Sequence, residues 1–144
     1  MQLRSVAVLA FIACSAAAQV ATIEVERGSP AIGGGELVQS IGIETLGGVF
    51  TPLLEVGCRV PCEATNTFST AADNQAEISV SLFRGTADLV SRNHSLGEFV
   101  VNGIPPAPRG APQVAITVRA ERTGIVLSAT DVSGASLQLL RRAD

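Results

Sequence analysis

Residues 78–82 read ISVSL, with an apolar side chain at every second position and a serine between each pair. Successive side chains of a β-strand point to opposite faces, so this order places one face in a core and the other in water. Residues 114–118, VAITV, repeat the order with alanine and threonine between the branched side chains. Both stretches are therefore predicted to be half-buried strands.

Further segments of the same kind flank these two, at residues 49–56, 64–70, 96–101, 124–130 and 136–140. Turn signals separate the segments, in the form of Arg-Gly, Asn-Gly, Thr-Gly and Ser-Gly pairs. Beyond residue 18 no stretch has a sustained helical period. A chain of 144 residues with short strands at this spacing is predicted to form one all-β domain, an antiparallel β-sandwich.

The composition argues against several functions. The net charge is −3 and there is no basic run, so nucleic-acid binding is not expected. The single histidine, His94, lies in a polar loop, and no cluster of His, Cys or carboxylate residues has metal-ligand spacing. A nucleophilic enzyme would need a base that the chain does not offer, so no enzyme is expected. The glycines at 33–35 fit no phosphate-binding frame, and no cofactor is expected.

The first 18 residues differ from the rest of the chain. An arginine at position 4, an apolar run and a small-residue end are typical of a secretory signal peptide, here cleaved after Ala18. The run is too short to span a bilayer, so no membrane span is expected. The expected location is secreted or the lumen of the secretory pathway, or the periplasm of a bacterium. A buried N-terminal helix and a lipoprotein signal acylated at Cys14 are the alternatives.

Residues 19–35 are expected to hold a short strand followed by a glycine-rich linker, and the peptide-binding sandwich is expected to cover residues 36–144. Within it, Cys58 and Cys62 are four positions apart. Extended chain of that length separates the α-carbons by roughly 13 Å, whereas a disulfide needs less than about 7 Å. Free thiols are therefore expected, although a fold-back at Pro61 would permit a bridge. Residues 93–95, NHS, fit the N-glycosylation frame and predict a surface loop.

Residues 41–48 read IGIETLGG and raise a question, because the apolar Leu46 stands where a glycine pair should end a strand. The block GIETLGGV at 42–49, with FSTAADNQ at 68–75 and GIPPAPRG at 103–110, resembles the substrate-binding β-domain of the seventy-kilodalton heat-shock chaperones, the DnaK family. The resemblance implies a β-sandwich of the heat-shock chaperone peptide-binding type, whose loops clasp a short extended peptide.

The resemblance also implies the contacts to that peptide. Leu46 and Ala71 would form an arch over the peptide backbone, and Thr45 and Ser69 would present main-chain groups to it. The central pocket for one substrate side chain would be lined by Ile43, Phe68, Ile78 and Val80. The leucine at the turn is then a rim residue of a groove. Taken without the resemblance, the pocket residues of strand 78–82 are ordinary core residues.

The expected function is chaperone-like binding of short extended hydrophobic segments of unfolded polypeptides. The family places an ATPase domain before this domain and a helical lid after it, and neither is recognised here. Binding without an ATPase cycle is therefore expected, and an ATPase partner in trans is left unspecified. The apolar-then-basic tail at 137–142 is expected to occupy its own or a neighbour's groove. The alternative is a degenerate secreted sandwich with a structural or interaction role and no chaperone activity.

Overall fold

The structure is a computed structural model that describes residues 20–27 and 32–142. The expected signal peptide at 1–18 lies outside these residues. The strands are β1 (Ala21–Arg27), β2 (Ile32–Gly33), β3 (Glu36–Leu37), β4 (Ser40–Thr45), β5 (Val49–Leu54), β6 (Cys62–Phe68), β7 (Glu77–Gly85), β8 (His94–Asn102), β9 (Val114–Glu121), β10 (Gly124–Asp131) and β11 (Gln138–Arg141). A short 3-10 helix spans Val90–Arg92. In the described part of the chain no helix is long and apolar enough to cross a membrane.

Two antiparallel sheets share one hydrophobic core. The first has four strands in the order β1-β10-β9-β6, and the second has five in the order β11-β8-β7-β4-β5. Buried side chains of both sheets, such as Leu127 of the first and Phe99 of the second, belong to a single cluster. The prediction of an all-β antiparallel sandwich is confirmed.

The alternation read from the sequence sets which side chains enter this core. In β7 the side chains of Ile78, Val80 and Leu82 are buried, and the residues between them are exposed or half-buried. β9 repeats the pattern over its whole length, with every second residue buried from Val114 onwards. Period-two order therefore fixes the inward face of both strands, as expected.

The segment ahead of residue 36 is part of the sandwich. β1 pairs with β10 from Ala21 opposite Ala129 to Arg27 opposite Gly124, and it forms one edge of the four-stranded sheet. The Arg141 guanidinium donates hydrogen bonds to the Val25 carbonyl of β1 and, at 2.9 Å, to the Leu96 carbonyl of β8. Strand and guanidinium together join the two sheets along this edge.

The C-terminal tail has a different place from the groove expected for it. β11 pairs with β8, with Gln138 opposite Asn102 and Arg141 opposite Phe99. Leu137 and Leu139 are each only 8% exposed and belong to the core. The apolar character of the tail is therefore explained by packing at the edge of the five-stranded sheet.

The expectation of free thiols is wrong, because Cys58 and Cys62 form a disulfide. Their α-carbons are 6.4 Å apart, since residues 56–61 turn back between β5 and β6 and do not run extended. The turn is also hydrogen-bonded to the β2–β3 hairpin. There the Leu37 N–H donates to the Cys58 carbonyl at 2.9 Å, and the Val60 N–H donates to the Gly35 carbonyl at 3.0 Å.

Candidate functional site

Three loops lie at one end of the sandwich. β4 and β7 are antiparallel, with Ile43 opposite Leu82, so the chain beyond Thr45 lies at the end where β7 begins. β8 finishes at the same end, because Asn102 pairs with Glu77. The loops that meet there cover residues 46–48, 69–76 and 103–113.

The first loop is a tight turn that holds an apolar side chain in water. The Gly48 N–H donates to the Thr45 carbonyl at 3.1 Å, which closes the turn. Gly47 and Gly48 have φ of +86° and +76°, a conformation that other residues rarely adopt. Leu46 is 99% exposed. The glycine pair thus presents this leucine to the solvent, where it has no packing role.

A neighbouring segment pairs with the chain just after the glycine turn and brings two more exposed apolar side chains to it. The Phe50 N–H donates to the Asp88 carbonyl at 2.8 Å, and the Val90 N–H donates to the Gly48 carbonyl at 3.0 Å. These bonds place Leu89 against Val49, and the two side chains are 45% and 42% exposed. We call Leu46, Val49 and Leu89 the rim patch. The sequence analysis did not assign Val49 and Leu89 to the candidate site. The available signal was an apolar residue, Leu89, in the segment between β7 and β8.

Asn93 organises the segment that carries Leu89. Its side-chain amide donates to the Ala87 carbonyl and accepts from the Ala87 N–H, each at 3.0 Å. The side chain is half-buried, and its groups face the loop interior, although the sequence frame suggested a glycan acceptor on a surface loop. His94, expected to be an exposed loop residue, is exposed but begins β8.

The second loop is held by one glutamine. The Gln75 Oε1 accepts hydrogen bonds from the backbone N–H groups of Ala71 and Ala72, at 2.9 and 3.1 Å. Its Nε2 donates to the Glu77 carbonyl at 2.7 Å. Ala71 is exposed at the top of this loop. The glutamine thus holds the segment that the sequence predicted as one half of the arch.

The third loop supports the second from below. The Gly110 N–H donates to the Thr70 carbonyl at 3.0 Å, and the Asn74 N–H donates to the Ala107 carbonyl at 2.8 Å. The Ser69 hydroxyl donates to the Pro112 carbonyl at 2.5 Å. These bonds tie residues 69–74 to the proline-rich loop as one unit.

The residues predicted to line the central pocket lie directly under these loops. Ile43, Ile78 and Val80 are 6%, 8% and 5% exposed and belong to the core, and Phe68 is half-buried against it. The Thr45 hydroxyl hydrogen-bonds to that of Thr51 at 2.9 Å. The structure therefore places the four predicted pocket residues in or against the hydrophobic core. Their contact with a peptide stays a prediction.

Among the described residues, no group of three His, Cys, Asp or Glu side chains is arranged to hold a metal ion.

A curated relative corrects the expected location. The chain is 47% identical, over 95 residues, to "Heat shock 70 kDa protein, mitochondrial" of Pisum sativum; the match covers 65% of this chain and 14% of that protein. Because this relative is mitochondrial, the predicted secreted or lumenal location is wrong. An apolar, acid-free N-terminus with one arginine is weak evidence for secretion, since organelle-targeting segments are also poor in acidic residues.

The family match covers most of the chain. Residues 11–138 match the family model described as Hsp70 protein, so the match begins inside the segment expected to be a signal peptide. The chain spans about 14% of the length of the pea relative. Strands β1 to β10, the glycine turn beside Leu46 and the loop braced by Gln75 lie within the matched residues. The chain belongs to the Hsp70 family.

Proposed function

We propose that the loop end of the sandwich binds short extended hydrophobic segments of unfolded polypeptides, in a chaperone role. The observation that carries the proposal is the exposure of Leu46, 99% in water on a turn that the glycine pair fixes. Val49 and Leu89 extend it into the rim patch. Exposed apolar side chains grouped at loop tips are typical of an interaction site, whereas single exposed apolar residues need no explanation.

The proposed grip combines main-chain and side-chain contacts. An extended peptide has unpaired amides, so main-chain groups near Thr45 and Ser69 would bind it with little regard to its sequence. Burying one leucine-sized side chain contributes roughly 1.5–3 kcal/mol. Since association itself costs several kcal/mol, we expect binding near micromolar, or about −8 kcal/mol. Such a grip rests on contacts alone, so we propose that it operates without an ATPase cycle of its own.

The buried pocket layer adds a condition to this proposal. Ile43, Ile78 and Val80 are at most 8% exposed, so a peptide side chain reaches them only when the loop of Leu46 or that of Ala71 moves aside. Binding that needs such a movement has a lowered association rate. The same burial favours the second candidate, a sandwich of the same fold that has no chaperone activity.

A binding assay separates the two candidates. The measurement is the fluorescence anisotropy of a short labelled leucine-rich peptide with the full chain. We expect micromolar binding, and at least a tenfold loss in Leu46→Asp, whose side chain contributes nothing to the core. The matched control is Leu140→Asp, because Leu140 is also exposed, at 50%, but lies on the edge strand β11.

The predicted pocket is tested by Val80→Phe, which would occupy its space, with circular dichroism to confirm that the variant folds. Absence of binding by the wild-type chain would favour the second candidate. Equal binding by Leu46→Asp and the wild-type chain would remove the rim patch from the site.

We further propose a mitochondrial location, on the strength of the mitochondrial relative. A C-terminal fluorescent fusion of the full chain, imaged against a mitochondrial marker, tests this. Secretory-pathway fluorescence would contradict it.

A further inference from the structure

A cavity of about 300 Å³ lies apart from the rim patch, between the proline-rich loop and the end of β10. Its walls are mostly apolar. The lining residues are Pro105, Ala107, Ala111, Pro112, Gln113, Asp131, Val132 and Ser133. One of them is a carboxylate that is only 4% exposed, Asp131. The cavity thus combines hydrocarbon walls with one nearly buried acidic group.

Towards the described residues, the Asp131 carboxylate uses only one of its two oxygens as a hydrogen-bond acceptor. Its Oδ1 accepts hydrogen bonds from the Ser133 N–H and the Ser133 hydroxyl, each at 2.7 Å. Among the hydrogen bonds and ion pairs of the described residues, none reaches Oδ2 and no cation pairs with the group. Asp131 lines the cavity, so Oδ2 is the carboxylate oxygen left for a ligand there.

An unpaired carboxylate in this setting favours a cation. A buried charge is costly unless it is paired, so a positive group that enters the cavity relieves that cost. The other lining residues offer no charge, because apart from the polar Gln113 and Ser133 they are prolines, alanines and a valine. They favour an aliphatic stem behind the positive group, and they disfavour an anion.

We propose that this cavity binds an alkylammonium group, with the ammonium at Asp131 Oδ2 and the aliphatic stem along Pro105, Ala111 and Val132. A free monoamine and a lysine side chain of a polypeptide both carry this chemistry. Each further buried methylene is worth about a fourfold gain in affinity. Affinity therefore rises along the series from ethyl- to pentylammonium, and it falls once the stem outgrows the cavity.

The experiment is a titration of the full, ¹⁵N-labelled chain with n-pentylammonium chloride, followed by amide chemical shifts. We expect saturable shifts at Ala107, Val132 and Ser133, and at least tenfold weaker binding of n-pentanol, which has the stem without the charge. Equal binding of the alcohol and the amine, or the absence of saturable shifts at these amides, would overturn the proposal.

Two variants test the role of the carboxylate. Asp131→Asn keeps an oxygen for the Ser133 bonds but removes the charge, and we expect at least a tenfold loss of amine binding. Glu55→Gln, an exposed carboxylate outside the cavity, is the matched control and should bind as the wild-type chain does. If Asp131→Asn does not fold, Ala111→Leu fills the cavity and leaves the carboxylate in place; retained binding in either folded variant would contradict the site.

A last arm identifies the source of the amine. The blocked peptide acetyl-Gly-Lys-Gly-amide is titrated in place of pentylammonium. Saturable shifts at the same amides assign the cavity to lysine side chains, and shifts with pentylammonium alone assign it to free monoamines. Because the readout is local to the cavity, its failure leaves the proposed peptide grip at the rim patch untouched.

Discussion

At the residue scale, two loops are shaped by different means, a glycine pair beside Leu46 and a single side chain, Gln75, that braces residues 71 and 72. The glycines at 47 and 48 stand in the sequence as a turn signal, and the apolar Leu46 beside them is visible as an anomaly. Gln75 gives no such signal, because its role depends on a long side chain that folds back onto the N–H groups of Ala71 and Ala72. Local order reveals turn residues but not the hydrogen bonds of flexible side chains within a loop.

Replacing the brace should loosen one loop and leave the fold intact. In Gln75→Ala the N–H groups of Ala71 and Ala72 lose their side-chain acceptor and donate to water instead. We expect their amide hydrogen exchange to accelerate, with a loss of about 1 kcal/mol or less in the free energy of unfolding, because the bonds are exposed. The measurement is exchange followed by NMR, with Gln138→Ala on β11 as the control. Unchanged exchange at both amides would show that Gln75 does not brace the loop.

Gly42 is a second residue whose role only the fold explains. A β-carbon added there would lie 2.2 Å from the Thr51 carbonyl oxygen and 2.7 Å from the Pro52 α-carbon, both backbone atoms of β5. The pairing of β4 with β5 also shifts register at this point. The two backbones approach so closely that no other residue fits without moving a strand.

We therefore expect Gly42→Ala to lower the free energy of unfolding by about 1–3 kcal/mol, the usual cost of overpacking. The control is Gly33→Ala, where the nearest atom is a Val38 side-chain carbon at 3.0 Å, which is able to shift. Urea unfolding compares the two variants. A Gly42→Ala chain as stable as the Gly33→Ala chain would contradict the close approach of the strands.

At the scale of elements, the sequence indicates strands but not their partners. Period-two order identifies the buried face of β7 and β9, and it says nothing about which strand lies alongside. For this reason the sequence predicts a short strand before the linker but not its place in a sheet, and it leaves the tail as a strand or a groove occupant, whereas β1 and β11 are edge strands of the two sheets. The extended chain assumed between Cys58 and Cys62 failed for a related reason, because the turn between β5 and β6 is fixed by contacts with the β2–β3 hairpin.

Arg141, which bonds to both β1 and β8, is expected to stabilise the fold far more than Arg142 does. Arg141→Met removes the donors to the Val25 and Leu96 carbonyls and the cation above the Phe99 ring, whose centroid is 4.7 Å from the guanidinium carbon. Hydrogen bonds to a charged group are worth about 1.5–3 kcal/mol each, and part-exposure lowers that, so we expect a loss of about 2–3 kcal/mol.

The matched control for this prediction is Arg142→Met. Arg142 pairs with Glu98 at 3.2 Å, but its side chain is 47% exposed, and such surface pairs are worth less than about 1 kcal/mol. Urea unfolding of both variants gives the comparison. Equal losses in the two variants would mean that Arg141 does not join the sheets.

The disulfide should stabilise the turn between β5 and β6 to a moderate degree. It closes a short loop, since the cysteines are four positions apart, and the chain-entropy estimate for such a loop is about 2 kcal/mol. Reduction should therefore lower the free energy of unfolding by about that amount. The double variant with serine at both positions should unfold identically with and without reductant, and a reductant effect in that variant would show that the wild-type effect has another source.

At the scale of the whole molecule, β1 completes a sheet whose next strand, β10, is deeply buried. Ile125, Leu127 and Ala129 of β10 are fully buried, and β1 covers the free edge of that strand. An exposed edge next to a hydrophobic strand is a template for pairing with another chain. The position of β1 thus protects the sandwich from self-association as well as extending its core through Val25, which is 5% exposed.

Removing β1 should therefore promote association between chains through the edge of β10. We expect a chain that starts at residue 32 to lose stability and to form concentration-dependent oligomers through β10, because the removed strand takes with it the pairing from Ala21 to Arg27 and one acceptor of Arg141. A chain that starts at residue 20 keeps β1 and is the control, expected to stay monomeric. Sedimentation velocity over a concentration series distinguishes the two chains. If β1 shields β10, only the shorter chain forms oligomers. Identical sedimentation of the two chains would contradict this shielding.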